Sequence, residues 1–111
     1  MKEQALFSSF AALDIRVGRI VEVAEAPTKK PTYRITVDFG PEVGQKVSYG
    51  GFRRYPKEFL LGKQVGAVVN LPPKQIGSET SEVLILAAVN AQGEPIYLTP
   101  EAEAPLGAAV F

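Results

Sequence analysis

Apolar and polar residues alternate most cleanly over residues 33–39, where Tyr33, Ile35, Val37 and Phe39 interleave with Arg34, Thr36 and Asp38. A period of two sends one set into a core and the other into water, so this segment predicts a half-buried strand. Residues 15–24 predict another, with Ile15, Val17, Val21 and Val23 on the inner face and Arg16, Arg19 and Glu22 pointing elsewhere. Gly18 inside that run predicts a bulge or sharp bend, as small barrels need. Residues 45–49 predict a third strand, with Val47 and Tyr49 on one face and Lys46 and Ser48 on the other. Two runs rich in Val, Ile and Leu, residues 65–71 and 83–89, predict buried strands, and residues 96–98 a short final one.

The period changes in two places. Leu6, Phe10 and Leu13 recur at helical spacing, with Phe7 beside them, and predict a short helix within residues 1–13. So short a helix is unstable alone and must pack on the body or on a second subunit. Residues 56–61 predict another short helix, opened by Pro56 and stopped by Gly62. Residues 25–32, 40–44 and 90–94 read as turns, the last with Gly93 in a left-handed position. Residues 72–82 read as an eleven-residue loop, because Pro72 and Pro73 cannot donate ladder hydrogen bonds. A long loop between two buried strands is a usual place for binding residues.

Three strands, a short helix, two strands and a C-terminal extension is the order of an OB-fold. The prediction is therefore all-β: a single domain over residues 1–111, a five-stranded Greek-key OB-fold barrel. A short N-terminal helix, a short helix between strands three and four, and a C-terminal extension complete it. Strands do not alternate with long helices, which argues against a doubly wound sheet.

Composition narrows the chemistry. The chain has neither cysteine nor histidine, which removes thiol nucleophiles, His-based triads and His/Cys zinc sites. No GxGxxG or GxxxxGK[ST] pattern occurs. The prediction is a binding module rather than an enzyme, with no cofactor, no metal and no catalytic residues. No apolar run reaches the roughly 18–20 residues that span a bilayer, and the N-terminus has no signal-peptide core, so no membrane insertion is expected. With no disulfide framework, a cytoplasmic location fits. Net charge is zero, which argues against strong non-specific nucleic-acid binding. Residues 28–74 nevertheless carry nine cations against three acids. That positive middle either steers an anionic ligand or is a solvated mixed-charge surface.

Two ligand classes fit. Single-stranded or folded RNA on an OB face would use cations and stacking rings. The candidate cations are Lys29, Lys30, Arg34, Lys46, Arg53, Arg54 and Lys74, with Arg53–Arg54 foremost because Arg both stacks and pairs with phosphate. An extended or unfolded polypeptide would use an apolar groove with a polar rim, and Tyr49, Phe52 and Tyr55 could supply it. Tyr33 shares the apolar face of its strand and reads as core. Tyr49 and Phe52 flank Gly50–Gly51, where backbone can approach a ligand.

Residues 10–21 (FAALDIRVGRIV), Leu61-Gly62-Lys63, Val69-Asn70-Leu71-Pro72-Pro73 and Ser81-Glu82 carry a resemblance. In this order they resemble the tRNA-binding OB domain family, found appended to tRNA synthetases and as free-standing homodimers. Within it the chain looks most like the CsaA-type, export-related chaperones. Pro31, the run Val37-Asp38-Phe39-Gly40, and Ser81-Glu82-Val83-Leu84 in place of the Ser-Glu-Gly-Met of typical tRNA binders point that way. The stretch from Ser48 to Phe52 departs from CsaA-like chains and falls on the expected ligand face. The resemblance implies a chaperone binding unfolded or export-bound precursor polypeptides, with tRNA binding, helped by the Lys74 cation and the Ser81 hydroxyl, as the alternative. It also implies a homodimer, with Phe7, Phe10, Leu106, Val110 and Phe111 as interface candidates.

Overall fold

A computed structural model describes residues 1–28, 32–50 and 55–111. Helix α1 spans Phe7–Ala11, followed by strands β1 (Ile15–Glu25), β2 (Tyr33–Asp38) and β3 (Gln45–Gly50). Helix α2 (Lys57–Leu60) leads into β4 (Gln64–Val68). Then come β5 (Lys74–Ile76), β6 (Glu79–Ser81), β7 (Leu84–Ile85), β8 (Ala87–Val89) and β9 (Pro95–Tyr97). The principal sheet has five antiparallel strands in the order β3-β2-β1-β4-β7. It curls until Glu82 N–H donates to Val47 O at 2.8 Å, bringing the last strand back to the first edge. The result is the nearly closed five-stranded barrel of an OB-fold. Among the described residues no helix is long and apolar enough to cross a membrane.

The apolar positions of β2 face inward as expected, although Thr36, expected on the wet face, is buried as well. Tyr33, Ile35, Val37 and Phe39 are buried together with Ile20, Val65, Ala67, Val83 and Ile85. β3 turns the opposite way from the prediction. Cross-strand partners share a face, and Ile35 sits opposite Ser48 while Thr36 sits opposite Val47. Ser48 is therefore the buried residue, and Val47 and Tyr49 lie on the outer side. Hydrophobicity alone pointed the wrong way because the outer side is itself partly covered, by residues 79–82.

β1 differs from its expected face for a related reason. Its inward positions are Gly18, Ile20 and, beyond a bulge at Val21, Val23. Val21 is exposed. Ile15 and Val17 are buried on the other side, under the C-terminal segment. Gly18 is required by close approach: a Cβ there would stand 2.5 Å from Val37 Cγ1 and 2.7 Å from the Phe39 ring.

The C-terminal segment is a strap along β1. Gly107 N–H donates to Val17 O, Val17 N–H to Ala108 O, and Val110 N–H to Ile15 O, at 2.8–2.9 Å. Gln64 bonds both backbone groups of Ala104, at 2.7 and 2.9 Å, and Arg19 pairs with Glu103. Arg16 pairs with Asp14 at 2.6 Å and with Glu42 at 3.3 Å, and donates to Gly107 O. Gly107 has φ +85°, and a Cβ on it would lie 2.6 Å from Phe39 O, so only glycine fits. At the other end, Asn70 ties α1 to the barrel by accepting from Asp14 N–H and donating to Ala12 O.

Residues 72–82 are not an irregular loop. β5 and β6 pair there as a hairpin, Lys74 opposite Ser81 and Ile76 opposite Glu79. β4 stops at Val68, earlier than the expected end at Pro72, and strand geometry resumes at Lys74 beyond the two prolines. The run at 83–89 is correspondingly split into β7 and β8, with β8 pairing β9 around the expected turn at Gly93.

Candidate ligand groove at the barrel seam

At the seam β3 is not paired by a full ladder: Val47 O accepts Glu82 N–H, while two of its N–H groups meet side chains. Tyr49 N–H donates to Ser81 Oγ at 3.2 Å, and Val47 N–H to Glu82 Oε1 at 3.0 Å. The hydroxyl of Ser81, itself buried, also donates to Val83 O. Beside this seam a groove of about 450 Å³ lies between β3 and the β5–β6 hairpin. Leu71, Pro72, Ile76, Val83 and Leu84 form its apolar walls, and Ser48, Tyr49, Lys74, Ser81 and Glu82 its polar parts. Leu84 is 52 % exposed.

The outer rim is ordered by Tyr49. Its hydroxyl donates to Glu79 Oε1 at 3.0 Å, and Arg34 is its partner across β2–β3. Burial foremost, then the hydrogen bond to Glu79, raise the phenol above its ordinary pKa, and Arg34 partly offsets this. Tyr49 therefore stays a neutral donor at physiological pH.

The structure brings three of the sequence candidates together here: Tyr49, Lys74 and Ser81 line the groove, with the exposed Arg34 beside Tyr49. Tyr55 lies elsewhere. It stacks on Phe59 with ring centroids 4.9 Å apart, Lys63 Nζ sits 4.3 Å from the Phe59 centroid on that ring, and the group surrounds a smaller cavity with Tyr97. Lys29, Lys30, Phe52, Arg53 and Arg54 lie outside the described residues. Phe7, Phe10, Val110 and Phe111 are exposed, whereas Leu106 is half-buried on its own barrel. Sequence reasoning missed Leu71, Ile76, Glu79 and Glu82 as groove or rim residues. Residues 74–82 hold one large apolar residue, Ile76, so no alternation marked the hairpin in the sequence.

An OB barrel with an apolar groove on its open seam defines a binding module. Residues 15–109 match the family described as "Putative tRNA binding domain". The methionine–tRNA ligase of Flavobacterium johnsoniae is 35 % identical over 109 residues, 98 % of this chain but 15 % of that enzyme. The crystal structure of the chaperone CsaA from Bacillus anthracis superposes with a TM-score of 0.91 at 38 % identity, covering 98 % of this chain and all of that one. CsaA from Picrophilus torridus gives 0.90 at 38 % identity, covering 97 % and 100 %. The chain belongs to the tRNA-binding domain family.

Proposed function

We propose that this protein is a CsaA-like chaperone that holds unfolded or export-bound polypeptide in the seam groove. The observation that carries the reading is the groove itself. Its walls are aliphatic, and charges of both signs stand at it, Lys74 and Glu82 in the lining and Arg34 and Glu79 beside Tyr49. A polypeptide, with apolar side chains and both signs of charge, complements such a surface. A phosphodiester strand would bring one negative charge per nucleotide to two carboxylates. Leu84 stands where the resemblance places the methionine of typical tRNA binders, so the groove's most exposed apolar residue is also a point of divergence.

The protein acts as a homodimer in this reading. Leu6, Phe7 and Phe10 on and beside α1, and Val110 and Phe111 at the end of the strap, leave apolar surface at both chain ends. Exposed apolar groups of this kind fit a self-complementary contact. A monomer in sedimentation at micromolar concentration would remove this part of the proposal.

tRNA binding is the second reading, favoured by the family match and by the similarity to methionine–tRNA ligases. Arg34 and Lys74 would then contact phosphate, together with the cations at 29–30 and 53–54. One preparation decides between the two. In the chaperone reading, equimolar protein slows aggregation of a denatured client, Leu84→Ser weakens that effect several-fold, and a gel shift with tRNA at low salt is absent or weak. A tight, steeply salt-dependent tRNA shift with no effect on aggregation reverses the order.

A further inference from the structure

Glu82 stands in the groove wall with one carboxylate oxygen fixed and the other open. Oε1 accepts Val47 N–H at 3.0 Å, and Glu82 N–H donates to Val47 O at 2.8 Å, so two bonds hold the residue against β3. Among the described residues the ion pairs use Asp14, Glu42 and Glu103, and no cation lies within 4.0 Å of Glu82. Lys74, across the groove, is exposed on four rotatable bonds, and no described hydrogen bond or ion pair fixes its amine.

In the free protein water reaches Glu82, and its charge costs little. An occupant that covers Leu71, Ile76, Val83 and Leu84 removes that water. A carboxylate left dry and unpaired is strongly unfavourable, whereas one that receives a cation makes a charge-assisted hydrogen bond. Its position is already set, so little ordering is lost when the cation arrives.

We infer that the groove selects an extended polypeptide segment in which a Lys or Arg lies next to an apolar residue, the apolar side chain filling the aliphatic walls and the cation meeting the open oxygen of Glu82. This rests on the polypeptide reading above. It goes further by naming the segment's chemistry and the residue that reads it. RNA is disfavoured at the same point, because a phosphate would face a fixed carboxylate.

The test uses two capped, fluorescently labelled hexapeptides, Gly-Ser-Leu-Lys-Ser-Gly and Gly-Ser-Leu-Glu-Ser-Gly, with binding read by anisotropy. The Leu-Lys peptide is expected to bind roughly two- to fivefold tighter, the size of one partly exposed charge contact. In Glu82→Gln the amide oxygen still accepts Val47 N–H, which an unmoved Val47 amide resonance verifies, and the ratio falls to about one. Lys74→Gln leaves the Lys preference in place. A preference that survives Glu82→Gln, or equal binding of both peptides to the wild type, overturns the inference while leaving the polypeptide reading intact. Failure of both peptides to bind overturns the two together. A single-stranded RNA that displaces the Leu-Lys peptide, and does so more strongly after Glu82→Gln, assigns the groove to nucleic acid and overturns it as well.

Discussion

The two sides of the barrel close in different ways. β1 is bonded along both edges by backbone: β2 and β4 take most of its length, and the strap takes Ile15 and Val17. β3 has β2 on one edge, but across the seam a single backbone bond, Glu82 N–H to Val47 O, is supplemented by Ser81 Oγ and Glu82 Oε1, which take the Tyr49 and Val47 donors. A backbone ladder fixes strand spacing near 4.8 Å and leaves no room between strands. Across the seam one backbone bond, Glu82 N–H to Val47 O, is joined by two side-chain bonds that take the β3 donors, and the groove lies beside this shorter, mixed closure. The candidate binding surface thus lies where the barrel's last edge is finished.

Phe39→Ala should have the largest effect on this contrast. The ring is fully buried beneath β1, against Gly18, and next to the strap, whose Gly107 packs on its carbonyl. Its removal should cost about 3–5 kcal/mol in urea unfolding. A loss below about 1 kcal/mol would show that the ladder side is not close-packed. Gly18→Ala comes next, at about 1–3 kcal/mol, because a methyl group 2.5 Å from Val37 forces the two strands apart. A neutral Gly18→Ala would mean that β1 and β2 have slack, and the contrast with the seam would fail.

pH offers a third comparison, through two phenols. Burial pushes Tyr97, on β9, up to about 12. Its ionisation in the folded protein lies above that of the unfolded chain, so its contribution is complete below pH ~10 and is lost as pH rises towards 12. Urea midpoints should therefore fall between pH 10 and 12, and Tyr97→Phe should flatten that limb. Tyr49 at the seam is also raised, but Arg34 pulls it back. An Arg34→Gln variant should move the Tyr49 absorbance titration upward. A downward move would mean that the Arg34 charge does not reach the rim.

The fold was legible because β2 alternates without interruption and because turn residues punctuate the chain at 40–44, 62 and 93. Faces were less legible. Val17 and Val47 look like barrel-core residues in the sequence, yet each is covered from outside, by the strap or by residues 79–82. A hydropathy pattern reports burial without saying what does the burying. The bulge at Val21 also shifted the period of β1 where Gly18 drew attention. At the candidate site, Tyr49, Lys74 and Ser81 were visible as residue types, but no alternation marked the β5–β6 hairpin. Glu82 stood in the Ser81-Glu82 run that carries the resemblance, but its contact with β3 was not legible, since a surface glutamate beside a strand looks like any solvated charge until its backbone partner is known.

Ser81→Ala should have the smallest effect on stability and the most informative effect on the seam. The hydroxyl accepts from Tyr49 N–H and donates to Val83 O. Removing it leaves one backbone donor and one acceptor short of a partner, which costs about 1–2 kcal/mol if both stay dry and less if water enters the adjoining groove. The groove supplies that water, so the cost should fall near 1 kcal/mol, well below Phe39→Ala. Local opening should change far more than global stability, because the bond between Ser81 and β3 contributes to the seam and little to the core. Tyr49 amide exchange should therefore accelerate by an order of magnitude or more, while Ile35, inside the ladder, keeps its protection. Equal acceleration at both amides would show that the seam and the ladder open as one unit. The distinction between a full backbone ladder and a seam held by one backbone bond and two side-chain bonds would then have no dynamic meaning.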